Sequence, residues 1–277
     1  MTQGQAQICR QCAETEEMSV HPDKEGTNMT EMATTKRKAA PKTAAPKTAV
    51  AKTAAPKQNI LVIDVGGTNL KLLDSNHTEP IKIPSGTTMT AARMVTEIKN
   101  ATPDWGYTAI SMGYPGPVRQ GRLLAEPHNL GPGWIDMDFE KEFGCPVRVV
   151  NDAAMQALGS YDGGRMLFLG LGTGLGSALI IDGVLAPMEL AHLPYRKGKS
   201  FEEYVGIRGL ERLGRTKWLE HVLIVIQLLR NALVADYVVL GGGNSKKIKE
   251  LPEGVKFGEN SNAFLGGFRL WSEYQQK

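Results

Sequence analysis

The chain has 277 residues, 42% hydrophobic and 22% charged, with a formal net charge of +3. That composition excludes collagen, a coiled coil and wholesale disorder, and the length allows one or two globular domains. Three cysteines are too few for a disulfide scaffold, and the longest charge-free run, Met166–Ile181, is 16 residues with four glycines, too short and too flexible to span a bilayer. No apolar stretch of signal-peptide type opens the sequence, so the expectation is a reduced, cytoplasmic protein without membrane association.

The charge is unevenly placed. Residues 1–57 hold nine Lys/Arg and six Asp/Glu, a net +3, while residues 58–277 hold 23 of each sign. From Lys36 to Lys57 there is no acidic and no aromatic residue. Five-residue units follow one another: Ala-Ala-Pro-Lys-Thr at 39–43 and 44–48, Ala-Val-Ala-Lys-Thr at 49–53, Ala-Ala-Pro-Lys-Gln at 54–58. Such a segment has nothing to bury, and its regular proline stops a long helix, so residues 1–57 are expected to be a disordered basic tail. Two readings of the tail stand: a solubilising extension, or an arm that attracts a polyanion by charge alone. Cys9 and Cys12 form a lone Cys-x-x-Cys with no second pair to complete a zinc site. A start at Met29 would remove both.

Order is expected from Ile60. Ile60–Asp64 is an apolar, β-branched run that reads as a buried strand. Val65-Gly-Gly-Thr68 reads as a turn and Leu70–Leu73 as the returning strand. A helix is predicted over Ala91–Lys99 and a strand over Tyr107–Met112, leading into the rigid loop Gly113-Tyr-Pro-Gly-Pro117. Val147–Val150 is a short strand, and Asn151-Asp152 opens a helix through Leu158. Met166–Leu171 and Ser177–Ile181 are strands around a second glycine turn. Helices are predicted over Phe201–Leu213 and Lys217–Leu233. The strand Tyr237–Leu240 then ends in Gly241-Gly-Gly-Asn244. The pattern is a hairpin followed by mixed α/β, given twice. It predicts two lobes facing a cleft, a favoured place for a ligand.

Common nucleotide motifs are absent. No P-loop is present, 172–177 reads Gly-Thr-Gly-Leu-Gly-Ser and not a Rossmann fingerprint, and no Gly-x-Ser-x-Gly occurs. The remaining candidate for phosphate binding is Asp64-Val-Gly66-Gly67-Thr68. Paired glycines let backbone N–H groups approach a phosphate, Thr68 adds a hydroxyl, and Asp64 at a strand end suits hydrated Mg²⁺. A plain hairpin turn is the competing reading. Gly172-Thr173-Gly174 repeats the same chemistry. Asp152, directly after an apolar strand, is placed to accept a hydroxyl proton in phosphoryl transfer, and a helix cap is the competing reading for Asn151-Asp152. Glu189-Leu-Ala-His192 offers a carboxylate and an imidazole able to hydrogen-bond sugar hydroxyls, against a reading as two surface residues.

Together these motifs resemble the ROK family of sugar kinases, within the actin-like ATPase-domain superfamily, over roughly Gln58 to Lys277. Asp64-Val-Gly-Gly-Thr68 is similar to the family's first phosphate motif, Asn151-Asp152-Ala153 to its catalytic motif, and Leu171-Gly-Thr-Gly-Leu-Gly176 to its second phosphate motif. Glu189-Leu-Ala-His192 is similar to its Glu-x-Gly-His sugar element, and Gly241-Gly242-Gly243 to its adenosine-side turn. The resemblance is strongest to polyphosphate glucokinases. It implies an α/β, two-lobed actin-like ATPase (ribonuclease H-like) fold with a central cleft, an N-terminal lobe at 58–150 and a C-terminal lobe at 151–277. It further implies a kinase that moves a phosphoryl group from polyphosphate or ATP, with Mg²⁺, to the 6-hydroxyl of glucose, and a possible homodimer. Asp152 is then the base, Asn151, Glu189, His192 and Glu211 bind the sugar, and Asp64 holds the metal.

The sequence departs from the family pattern in places. Where family members with zinc carry a Cys-x-Cys-Gly-x-x-Gly-Cys cluster, this chain reads Tyr204-Val-Gly-Ile-Arg-Gly-Leu-Glu211, so no zinc is expected. Glu211 is one position off the family's sugar-binding glutamate, and Ala191 stands where a glycine is usual. The alternatives are a kinase for mannose, fructose or another hexose, or a non-catalytic sugar-responsive regulator. The regulators of the family carry a helix-turn-helix before the sugar-binding part, and the tail lacks the apolar periodicity to form one.

Overall fold

The computed structural model describes residues 58–259 and 261–272. The readings of the tail, its repeat and its Cys-x-x-Cys lie outside these residues.

The chain opens with β1 (Ile60–Val65), β2 (Asn69–Asp74) and β3 (Ile81–Pro84), then α1 (Ala91–Ala101) and β4 (Ala109–Tyr114). A small hairpin, β5 (Val118–Arg119) and β6 (Arg122–Leu123), precedes α2 (Phe139–Phe143) and β7 (Val147–Asn151). The helix α3 (Asp152–Ser160) leads to β8 (Arg165–Leu171), β9 (Leu175–Ile181) and β10 (Val184–Met188). Then come β11 (Pro194–Arg196), β12 (Lys199–Ser200), α4 (Phe201–Val205) and α5 (Ile207–Ala232). The described chain ends with β13 (Tyr237–Gly241), β14 (Val255–Phe257) and α6 (Asn262–Arg269).

Two five-stranded sheets share one plan. The first runs β3-β2-β1-β4-β7 and the second β10-β9-β8-β13-β14. In each, three strands form an antiparallel meander and two more add in parallel. The doubling expected from the sequence is therefore a doubling of sheet topology. The two glycine turns sit at equivalent places, between the first and second strands of each meander.

Every residue of β1 is buried, which explains its unbroken apolar run: both faces of a central strand are covered. On one side of the first sheet, α1 turns its buried stripe Ala91, Met94, Val95 and Ile98 inward, after Thr90 caps it by accepting from Arg93 N. The fully buried Trp134 completes that core. On the outer side of the second sheet lies α5, through Trp218, Val222, Val225, Ile226 and Leu229. Between the sheets, α3 and α6 share one core with Val62 of β1, Phe168 of β8 and Ile180 of β9.

The helix α6 has no counterpart in the sequence reading. It packs on α3 so closely that a Cβ at Gly159 or Gly266 would run into the backbone of the other helix. Its end is tied back to the first sheet: Ser111 Oγ donates to Gly267 O at 2.6 Å, Trp271 Nε1 donates to Ser111 Oγ at 2.9 Å, and Arg148 donates to Leu270 O.

The predicted helix 201–213 is two pieces. At Gly206 the backbone is extended, and Ile207 N donates to Thr173 O of the second glycine turn at 3.1 Å. The break brings α4 to that turn. A second irregularity, Gly214 at φ 74°, kinks α5 close to where the sequence separates two helices. Among the described residues, no helix is long and apolar enough to cross a membrane.

Candidate active site

The end of β7 and the start of α3 set the chemistry. Asn151 caps α3: its Oδ1 accepts from Ala153 N at 3.0 Å and Ala154 N at 3.3 Å. Its Nδ2 donates to Gly116 O at 3.0 Å, which leaves one amide hydrogen for a ligand. Asp152 follows as the first helical residue, half-buried, with Oδ1 accepting from Ala153 N at 2.7 Å. The cap reading thus falls to Asn151, with Asp152 the first residue of the helix.

Opposing influences act on the Asp152 carboxyl. The Ala153 amide favours the anion, as does a helix N-terminus. Burial pushes the other way, and so do the carboxylates of Asp64 and Glu189. The second group wins, and the pKa rises to about 7. Asp64 is itself buried in β1, and its Oδ2 accepts from Lys71 Nζ at 2.7 Å. Glu189 is also held above the usual carboxylate range, by desolvation and by Glu202, with His192 acting in the opposite sense.

Both glycine turns reach the same cavity, about 420 Å³ in volume, which Asp152 lines. Gly66 and Gly67 contribute from the first, Gly172, Thr173 and Gly174 from the second. Gly66 must be glycine on geometry: a Cβ there would sit 2.7 Å from Asn69 O, and Gly66 N already donates to that carbonyl at 3.1 Å. Glu189 and His192 line the same cavity, His192 from a short 3-10 turn at Leu190–His192. Gly242 reaches it as well and also borders a second space of about 440 Å³ with Ser245, Lys246 and Phe257.

Other expected site residues lie apart. Thr68 is exposed and does not line the cavity, and Gly241 lies buried at the end of β13 beneath the Phe168 ring. Glu211 is exposed on α5 and borders none of these cavities. In its stead the structure brings Glu202 of α4 to the cleft, so close to Gly174 that a side chain there would collide with the carboxylate. Its sequence signal was the adjacent pair Glu202-Glu203 at the start of a helix. Only the break at Gly206, invisible in residue patterns, turns it to the cleft. His128 and Asn129 were likewise missed, in a loop with no periodicity. They border a polar space of about 610 Å³ with Gly67, Thr173, Glu202 and Arg208. A further cavity of about 640 Å³, with an apolar wall including Val118, Leu124, Leu185 and Met188, opens beside Asn151 and Glu189.

No group of three His, Cys, Asp or Glu side chains able to hold a metal occurs among the described residues. The donors present nonetheless suit an Mg²⁺ ion that arrives with phosphates: such an ion keeps several waters and needs only one or two carboxylates. Asp64, close enough to Asp152 to raise its pKa, is that kind of donor.

Comparison with known proteins agrees with this layout. The ROK family model matches residues 60–187. The polyphosphate glucokinase of Mycobacterium leprae is 29% identical over 210 residues, covering 69% of this chain and 61% of that protein. The polyphosphate glucokinase of Mycobacterium tuberculosis strain H37Rv is also 29% identical over 210 residues, with 74% of its length covered. The chain thus spans a little under two thirds of the first of these relatives and about three quarters of the second. Among solved structures, the inorganic polyphosphate/ATP-glucomannokinase of Arthrobacter sp. strain KM superposes with a TM-score of 0.63 at 23% identity, covering 76% of this chain and 96% of that one. The fold is accordingly the two-lobed actin-like α/β fold that this neighbour shares, and over residues 60–187 the chain resembles the ROK family.

Proposed function

We propose that this protein is a glucokinase-type phosphotransferase that moves a phosphoryl group from polyphosphate or ATP to the 6-hydroxyl of a hexose, glucose being the favoured acceptor. One observation carries the reading: a carboxylate with a pKa near 7 at a helix N-terminus, facing two glycine turns across one cavity. A general base works best with a pKa near the operating pH. The names of the relatives, polyphosphate glucokinase and polyphosphate/ATP-glucomannokinase, support the donor and acceptor classes.

The division of labour follows from position. Asp152 takes the proton from the sugar hydroxyl as it attacks phosphorus. Backbone amides at Gly66–Gly67 and Gly172–Gly174 receive the charge on the transferring group, which positioning and electrostatics stabilise. Asn151, Glu189, His192 and Glu202 orient the sugar. Asp64 would hold Mg²⁺ that comes with the donor, and the ion would supply charge neutralisation on the phosphates. Lys71, already on Asp64, limits the negative charge that gathers around the base in the absence of ligand. A cytoplasmic location fits such a reaction, since both donors and the free sugar are found there.

A matrix of donors (ATP, GTP, short and long polyphosphate) against acceptors (glucose, mannose, fructose, amino sugars) tests the reading on purified full-length protein. Sugar 6-phosphate formation with at least one pair is the expected result. No transfer to any hexose from any donor would overturn it.

A further inference from the structure

The acceptor side of the cleft is built from short pieces: the turn at 190–192, the β11–β12 hairpin and the five-residue α4. Such pieces do not hold a shape alone. What holds them is a cluster of rings behind the cleft. Tyr195 of β11 packs against Phe201 with centroids 5.3 Å apart and edge-on to Tyr204 of α4 at 5.0 Å. His221 of α5 meets Tyr204 edge-on at 4.6 Å, and its Nδ1 lies 3.0 Å from the Tyr195 hydroxyl. Arg212 of α5 lies over the Tyr204 ring at 4.9 Å and donates Nη2 to Glu203 O at 2.8 Å. Arg196 stands near Tyr195, 5.8 Å from its centroid.

None of Tyr195, Tyr204 or His221 lines a cavity of the cleft. Their neighbours in sequence do. Tyr195 follows His192 by three residues and Tyr204 follows Glu202 by two. His221 joins both tyrosines to the long helix. We propose that Tyr195, Tyr204 and His221 are positioning residues: they clamp the two segments that carry His192 and Glu202, and acceptor affinity falls when the His221 imidazole is protonated. The inference rests on the sugar-kinase reading for the identity of the ligand.

The charge balance around His221 gives the direction. The titratable and charged groups facing it are Arg196 from β11, Arg212 and Glu220 from α5, and the hydroxyls of Tyr195 and Tyr204. Burial, then Arg196, and more weakly Arg212 keep the imidazole below its usual range, against Glu220. It is therefore neutral at pH 7.5. Protonation places a third cation beside two guanidinium groups. It also makes Nδ1 a donor only, so Nδ1 can no longer accept from the Tyr195 hydroxyl.

Two variants of the full chain test this: Tyr195→Phe, which keeps the ring and removes one hydroxyl, and His221→Gln, which keeps a polar group that does not titrate. Glucose binding is measured by calorimetry from pH 5.5 to 7.5, with KM for glucose and for the donor alongside. For Tyr195→Phe at pH 7.5 the expected result is a glucose Kd raised roughly 3- to 10-fold, the effect of one lost hydrogen bond, with donor KM and kcat unchanged. Wild-type glucose affinity should fall toward pH 5.5 more steeply than that of His221→Gln. Identical affinities at pH 7.5 for wild type and Tyr195→Phe, or an unaltered pH dependence in His221→Gln, would overturn the clamp alone. A wild-type protein that binds no hexose at any pH would overturn the sugar reading and the clamp's role with it.

Discussion

Asp152 carries two opposed consequences of one environment. In the proposed reaction Asp152 must be ionised to act as base, so kcat/KM for the sugar should fall as pH drops through about 7, the value to which burial, Asp64 and Glu189 raise this group. For stability the sign reverses. A carboxyl that is harder to ionise in the folded than in the unfolded state favours folding when protonated. That contribution is lost as pH rises from the ordinary carboxylate range through about 7. The Asp152→Asn variant should therefore lose roughly 10²- to 10⁴-fold in kcat, yet melt at a higher temperature than wild type at pH 8 and show a smaller difference at pH 5. A variant retaining half the wild-type rate would remove Asp152 from the role of base; a melting point lowered at pH 8 would contradict the electrostatic account. At Asp64 the expectation concerns metal: EDTA should stop turnover, and added Mg²⁺ should restore it, as followed by sugar phosphate formation. Full activity after exhaustive chelation would rule out the ion.

At the scale of elements, the contact of α3 with α6 fills the space between the two sheets behind the site, and it depends on the absence of side chains. Gly159 and Gly266 let the helix backbones meet, so Gly266→Ala introduces a methyl group where the Met155 carbonyl already stands. Overpacking of this kind costs about 1–3 kcal/mol. Chemical denaturation should show a lower midpoint, and a midpoint equal to wild type would mean the helices can move apart freely. This pair also shows the limit of the sequence. The strands β1, β4, β7, β8 and β13 were legible because short, largely apolar runs between turn signals carry a local pattern. So was α1, through its apolar stripe. The helix α6 was not legible: it is eight residues long, holds two adjacent glycines, and owes its form to contacts with Val62, Met155 and Ser111 far away in sequence. The site divides in the same way. Asp152, Glu189, His192 and the glycine turns stand in local motifs. Glu202 and Asn129 reach the cleft only through long-range placement, while Glu211, one position off the family pattern, is exposed on α5 away from it.

Across the whole molecule, charge separates a neutral body from a basic extension. Residues 58–277 balance 23 positive against 23 negative side chains, so the body exerts no net pull on a polyanion. Lys36–Lys57 holds seven basic residues and no acidic one, a charge that attracts a polyanion such as polyphosphate to the chain. Attraction of this kind is long-range at low salt and fades as the Debye length shrinks, from about 10 Å at 0.1 M to about 3 Å at 1 M. ATP carries few charges and gains little from such an arm. Deleting residues 1–57 is therefore expected to raise KM for long polyphosphate at low salt, with a smaller effect at high salt. It should leave kcat on glucose unchanged and KM for ATP nearly so. Steady-state kinetics of the full-length and truncated proteins at 0.05 M and 0.5 M salt measure each of these terms. Equal KM values for long polyphosphate in the two proteins at low salt would show that the arm does not capture the donor, and a parallel rise in KM for ATP would point to an effect on residues 58–277 instead.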